Sequence, residues 1–235
     1  MRGTEAFVNR EFVDGLLSVL ADAGDPERAL KQQAYMKSVL PYYGISMPDL
    51  RRITTAVMRE YTFDGAEQLQ ATVRFVWDNV THREQWYAAL TLLGAKQFSA
   101  FRNLEFLDLY EHLIITGAWW DVVDDVATHF VGPLLRAEPE VMTQVLRQWA
   151  ADDHLWLQRS AIIAQVGAGT ETDTELLRQV IEPSLERREF FLRKAIGWAL
   201  RDYARTEPEW VRTFVAEHDD RLSPLSKKEA TKHLV

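Results

Sequence analysis

The amino-acid sequence predicts an all-α protein arranged as an α-solenoid of short paired helices. Apolar residues recur at spacings of three and four, as in "FVDGLLSVL", "LEFLDLYEHLII" and "VMTQVLRQWA", while the strict alternation of a half-buried strand is almost absent. Pro and Gly cut these periodic runs into short pieces. A faint internal echo with a period near 35 residues supplies the third observation.

From the amino end, "FVDGLLSVL" reads as an amphipathic helix ended by the turn "DAGDPERA". "KQQAYMKSVLPYYGISMPDLRRI" places a Pro-Gly turn between two further helices, and "RAEPEVM", "RTEPEWV" and "RLSPLSKKEA" mark later boundaries. In the last of these, Ser226 followed three residues on by Glu229 reads as a capping box opening a final basic helix. No low-complexity linker divides the chain, so one continuous domain over residues 1–235 is expected. The echo aligns "WDVVDDVA" from Trp120, "WLQRSAII" from Trp156 and "FFLRKAIGW" from Phe190, at separations of 36 and 34 residues; Glu84 lies 36 residues before Trp120. A period of that length with two helices per unit is the mark of a HEAT- or TPR-type solenoid, whose concave side is lined by one helix of each pair.

Composition narrows the chemistry. The chain has no cysteine, which excludes disulfides, thiolate metal sites and cysteine nucleophiles, and fits a reducing cytoplasm. No run is long and apolar enough for a membrane span, and "MRGTEAFVNREF" has no apolar signal core, so a soluble, cytoplasmic protein is expected. The formal charge of -8 argues against a general affinity for polyanions, although a polyanion responds to the field of one face and not to the sum. There is no Gly-rich phosphate loop, HExxH or GxSxG, and the six histidines are scattered; no metal and no cofactor are implied.

Four stretches can carry function. In "WWDVVDD", Trp120 and Asp124 are four apart and share a helix face, projecting an indole beside a carboxylate; alternatively both tryptophans are core and the aspartates complement the helix dipole. In "DDHLWLQRSAII", Arg159 is either a phosphate clamp or the surface partner of Asp152 or Asp153. "REFFLRKAIGWALRDYA" interleaves Lys194, Trp198 and Arg201, a mixture that grips a nucleic-acid backbone and equally describes a charged helix with a buried aromatic stripe. Tyr35, Lys37 and Arg51-Arg52 gather near the amino end, and "LSKKEATKH" repeats the basic character at the other.

Taken in order and spacing, "WWDVVDD", "WLQRSAI", "EFFLRKAIGWALRDYA" and "LSKKEATKH" resemble the DNA alkylation repair family of HEAT-like-repeat DNA glycosylases, the AlkD type, from about Tyr35 to the carboxyl end. The resemblance implies a solenoid whose basic concave groove cradles double-stranded DNA. It further implies a monofunctional enzyme that releases N3-methyladenine and N7-methylguanine by hydrolysing the N-glycosidic bond, in base excision repair. The family's catalytic aspartate falls on Asp124, and the tryptophans that press on the lesion-bearing nucleotide fall on Trp120 and Trp198. Its groove arginine matches Arg159 and its amino-end tyrosine Tyr35; Lys194 and Arg201 are further DNA-binding candidates. In the turn that approaches the base opposite the lesion Pro48 matches, whereas Ser46 replaces an expected glutamine. The expected partner is duplex DNA bearing alkylated bases, met by a monomer. The competing expectations are a non-catalytic HEAT-repeat protein that binds bent or branched DNA, and a protein-binding scaffold.

Overall fold

A computed structural model describes residues 4–234, and all regular structure among them is helical. The chain forms two compact units, Met1–Leu109 and Tyr110–Val235. The first holds α1 (Arg10–Asp22), α2 (Pro26–Met36), α3 (Met47–Met58), α4 (Ala66–Asp78) and α5 (Glu84–Leu93). α6 (Leu107–Gly117) leads into the second, which holds α7 (Trp120–Val126), α8 (Gly132–Ala137), α9 (Pro139–Ala151), α10 (Leu155–Ile163), α11 (Thr174–Ile181), α12 (Phe190–Tyr203), α13 (Pro208–Glu217) and α14 (Pro224–Ala230). No helix among the described residues is long and apolar enough to cross a membrane.

The punctuation read from the sequence marks helix starts. Pro26, Pro48, Pro139, Pro208 and Pro224 each occupy the first turn of a helix, where a missing N–H costs nothing. The capping box does not form. Ser223, not Ser226, caps α14 by accepting the Ser226 N–H at 3.0 Å, and Glu229 turns away to α12. Pro224 decides this, because its ring suits the first helical position and so makes Ser223 the residue before it.

In the first unit α3 and α4 both pack on α5, and α1 packs on α3. The segment between α2 and α3 is tied down by Glu84, which the sequence marked only as a faint member of the repeat. Glu84 is buried, and its carboxylate accepts backbone N–H groups from Tyr43 (3.0 Å), Gly44 (2.8 Å) and Ile45 (3.1 Å). Gly44 has φ +90, and a Cβ there would stand 2.0 Å from Asp25 O, so only glycine fits the bend. Glu84→Gln should therefore cost about 2 kcal/mol, because an amide nitrogen replaces one of the charged acceptors facing those donors. Urea unfolding with no change in midpoint would refute this.

In the second unit α10 packs against α7, α9 and α12, while α14 lies along α12. Every residue from Trp156 to Ile163 is buried, so α10 is an interior helix and not an amphipathic surface one. The 35-residue echo corresponds to the starts of α7, α10 and α12: Trp120 and Phe190 open their helices and Trp156 is second in its own. The aromatics that meet are shifted, however. Trp119, Trp156 and Phe191 form the cluster, with centroid separations of 5.0 to 6.2 Å, whereas Trp120 and Phe190 face solvent.

Candidate functional site

The turn before α7 sets up its first residues. Ala118 adopts a left-handed conformation (φ 38), a strained choice for a residue with a Cβ. Trp119 then caps the helix in extended conformation and packs inward on Trp156 and Phe191, while Trp120 begins α7 with 37% of its surface exposed. Val122, Val123 and Val126 are fully buried and seat the helix. Asp124, one turn after Trp120, lies at the edge of the interior with its side chain 18% exposed. α7 gives way to a π-helical turn over Ala127–Val131, followed by Pro133. Proline cannot donate to the carbonyl four residues back and its ring needs room there, so a widened turn accommodates it.

Behind Asp124 stands Arg159. Its Nε donates to Asp124 Oδ1 and its Nη2 to Oδ2, both at 2.7 Å, and its Nη1 donates to the Phe191 carbonyl at 2.6 Å. The guanidinium carbon lies 5.9 Å from the centre of the Phe191 ring. A cation on a buried helix requires such a partner, and the planar fork matches both carboxylate oxygens at once. This corrects one sequence expectation for Arg159. Its side chain is only 6% exposed with all three nitrogens engaged inside the protein, so it is not a surface partner of Asp152 or Asp153.

Burial pushes the Asp124 carboxyl above the ordinary aspartate value; the hydrogen bonds and charge of Arg159 pull it back, and Asp121 and Asp125 add smaller raising effects. The result is a carboxylate with raised basicity, two lone-pair directions taken by Arg159 and the others available.

Lys194 and Arg201 are paired at the protein surface. Lys194 Nζ donates to Glu229 Oε1 at 2.9 Å and Arg201 Nη1 donates to Glu229 Oε2, so both of these expected DNA contacts are held by a carboxylate from α14. Trp198, between them on α12, is partly buried against the core of the second unit. The other candidates belong to the first unit. Tyr35 is 78% exposed in the last turn of α2, and Pro48 is exposed in the first turn of α3. The Ser46 hydroxyl caps α3, accepting from Asp49 N at 3.3 Å and donating to Asp49 Oδ2 at 2.6 Å. Thus of the candidates Asp124 and Arg159 are in direct contact, with Trp120 one turn from the acid.

The family model described as DNA alkylation repair enzyme matches residues 16–234. The chain belongs to that family. Among solved structures, a protein described as a predicted DNA alkylation repair enzyme from Enterococcus faecalis superposes with a TM-score of 0.80 at 29% identity, covering 90% of this chain and 97% of its own. AlkD2 from Streptococcus mutans gives 0.59 at 17% identity, covering 80% and 90%, and smu.31 from Streptococcus mutans UA159 gives 0.57 at 18%, covering 80% and 99%. The last two show a shared fold, in agreement with the all-α architecture expected from sequence. No curated protein matches the chain significantly.

In this member of the family, two residues of the site were missed by sequence reasoning. The Phe191 carbonyl fixes the third arm of Arg159, a backbone role that leaves no mark on side-chain identity. Glu229 looked like a capping residue, and only the proline two positions before Ser226 signals otherwise.

Proposed function

We propose that the chain is a monofunctional alkylpurine DNA glycosylase that removes N3-methyladenine and N7-methylguanine from duplex DNA, acting as a monomer at the nucleoid. The observation that carries this is the Asp124 carboxylate, partly open to solvent, gripped from behind by Arg159 and one turn from an exposed indole. The family description supports DNA alkylation as the damage concerned.

An alkylated purine is already positively charged and leaves without protonation by a general acid. As the N-glycosidic bond breaks, its electron pair passes to the base nitrogen, the base departs neutral, and cationic character develops at the sugar. Asp124 stabilises that cation by charge, worth about 4 kcal/mol at roughly 4 Å and an effective dielectric of about 20. A water oxygen then bonds to the anomeric carbon and gives its proton to Asp124 or to solvent, leaving an abasic site and the free base. The indoles of Trp120 and Trp198 offer π faces to the cation, worth about 0.5–2 kcal/mol each. Arg159 orients the acid and keeps it ionised.

Incubation of methylated duplex DNA with the protein should release 7-methylguanine and 3-methyladenine, while uncharged lesions such as uracil stay in place. Binding to duplex should weaken on the order of a hundredfold between about 50 and 200 mM salt, as for about four phosphate contacts. Salt-dependent binding with no base released would instead identify a non-catalytic DNA-binding protein.

A further inference from the structure

α14 is short, yet its contacts fix two turns of α12. Glu229 ties Lys194 and Arg201, which stand seven residues apart on α12, to the two oxygens of one carboxylate. Midway between them, Gly197 lets the helices meet: a Cβ there would lie 2.5 Å from Glu229 Cβ and 3.2 Å from Ser226 O. The buried Ser226 hydroxyl donates to Arg193 O at 2.9 Å. All of these contacts fall between Arg193 and Arg201, around Trp198, which itself rests on a core that includes Ala230 of α14. The ion pairs are intact at neutral pH, since the hydrogen bond from Lys194 holds the Glu229 carboxyl below the usual glutamate range.

Ser226 and Ala230 already seat α14 by burial, and an acid placed against two cations removes positive charge from a protein proposed to bind DNA. The arrangement makes sense if what it secures is the exact placement of α12's indole. We propose that Glu229 is a positioning residue for base excision: through Lys194, Arg201 and the close approach at Gly197 it holds the Trp198 segment of α12 in the place from which the indole meets the sugar. This rests on the glycosylase reading above. Glu229 touches no substrate, and its effect passes entirely through Trp198.

The test uses the full chain and duplex DNA containing 7-methylguanine, with excision measured under single-turnover conditions at saturating protein and affinity measured separately. Glu229→Gln keeps the side-chain shape and should lower the saturated rate by about tenfold, a modest share of what misplacement by an ångström costs. Its DNA affinity should be unchanged or tighter, because a negative charge has gone. Lys194→Gln loosens one arm of the clamp and should also lower the saturated rate, although it removes a cation. In a Trp198→Ala background Glu229→Gln should have no further effect on rate. A lowered melting temperature with an unaltered saturated rate would overturn the proposal, as would additive effects of Glu229→Gln and Trp198→Ala. So would a Lys194→Gln variant whose only defect is weaker binding. A wild-type protein that releases no base removes the glycosylase reading and this proposal together, and is told apart from the other outcomes by the wild-type control.

Discussion

Asp124→Asn is expected to slow release of 7-methylguanine from duplex DNA by about a hundred- to a thousandfold while DNA affinity stays equal or becomes tighter. The loss follows from removing a full charge about 4 Å from a developing cation, which at about 4 kcal/mol corresponds to roughly a thousandfold in rate. The variant retains the side-chain shape, and its one remaining oxygen can still accept from Arg159. The amide nitrogen now faces the other guanidinium donor, so the melting curve is measured alongside the rate. Affinity should not fall, because DNA meets one negative charge fewer in this part of the second unit. The single-turnover rate of the folded variant decides the matter. Excision at the wild-type rate would dismiss Asp124 as the catalytic group and with it the reading of α7 as the reactive helix.

What could be read in the sequence was local. The helical period, the proline-marked boundaries and the four-residue spacing of Trp120 and Asp124 depend on neighbours within a turn or two, and the structure shows all three. Ion-pair partners were misread because the true ones are far along the chain. Arg159 meets an acid 35 residues away, while the nearby Asp152 spends Oδ1 on the His154 N–H and its carbonyl on Gln158. Lys194 likewise finds Glu229 35 residues on. Both separations match the period of the aromatic echo, with the acid one period before Arg159 and one period after Lys194, a regularity that the echo hinted at without identifying the charges. Glu84 is a third case: three backbone donors leave no signature in residue type, so a buried carboxylate serving them looks like any surface glutamate.

Arg159→Ala should damage both stability and catalysis, through Asp124. In the folded protein it would leave a largely buried carboxylate without its counter-charge and the Phe191 carbonyl without its donor. Breaking a buried pair in this way costs about 3 kcal/mol, at the low end of the range because Asp124 keeps some contact with water. The pH dependence gives the sharper signature. The folded protein already holds the Asp124 carboxyl above its ordinary value, so catalysis by the ionised form should rise with pH along an acid limb displaced upward from that of a free aspartate. For stability the sign is opposite. Asp124 contributes most below its unfolded value near 3.8, where it is protonated in both states, and this contribution is lost as pH rises through the raised folded value. Arg159 supplies the lowering influences, so its removal leaves burial and the charges of Asp121 and Asp125, all of which raise the value, and the acid limb should move further up. Arg159→Lys keeps the charge but cannot span both oxygens and the Phe191 carbonyl, and should fall between the two. Because the guanidinium is engaged inside the protein, the salt dependence of DNA binding should be unchanged in either variant. A reduced salt slope with an unmoved acid limb would restore the phosphate-clamp role and separate Arg159 from the chemistry of Asp124.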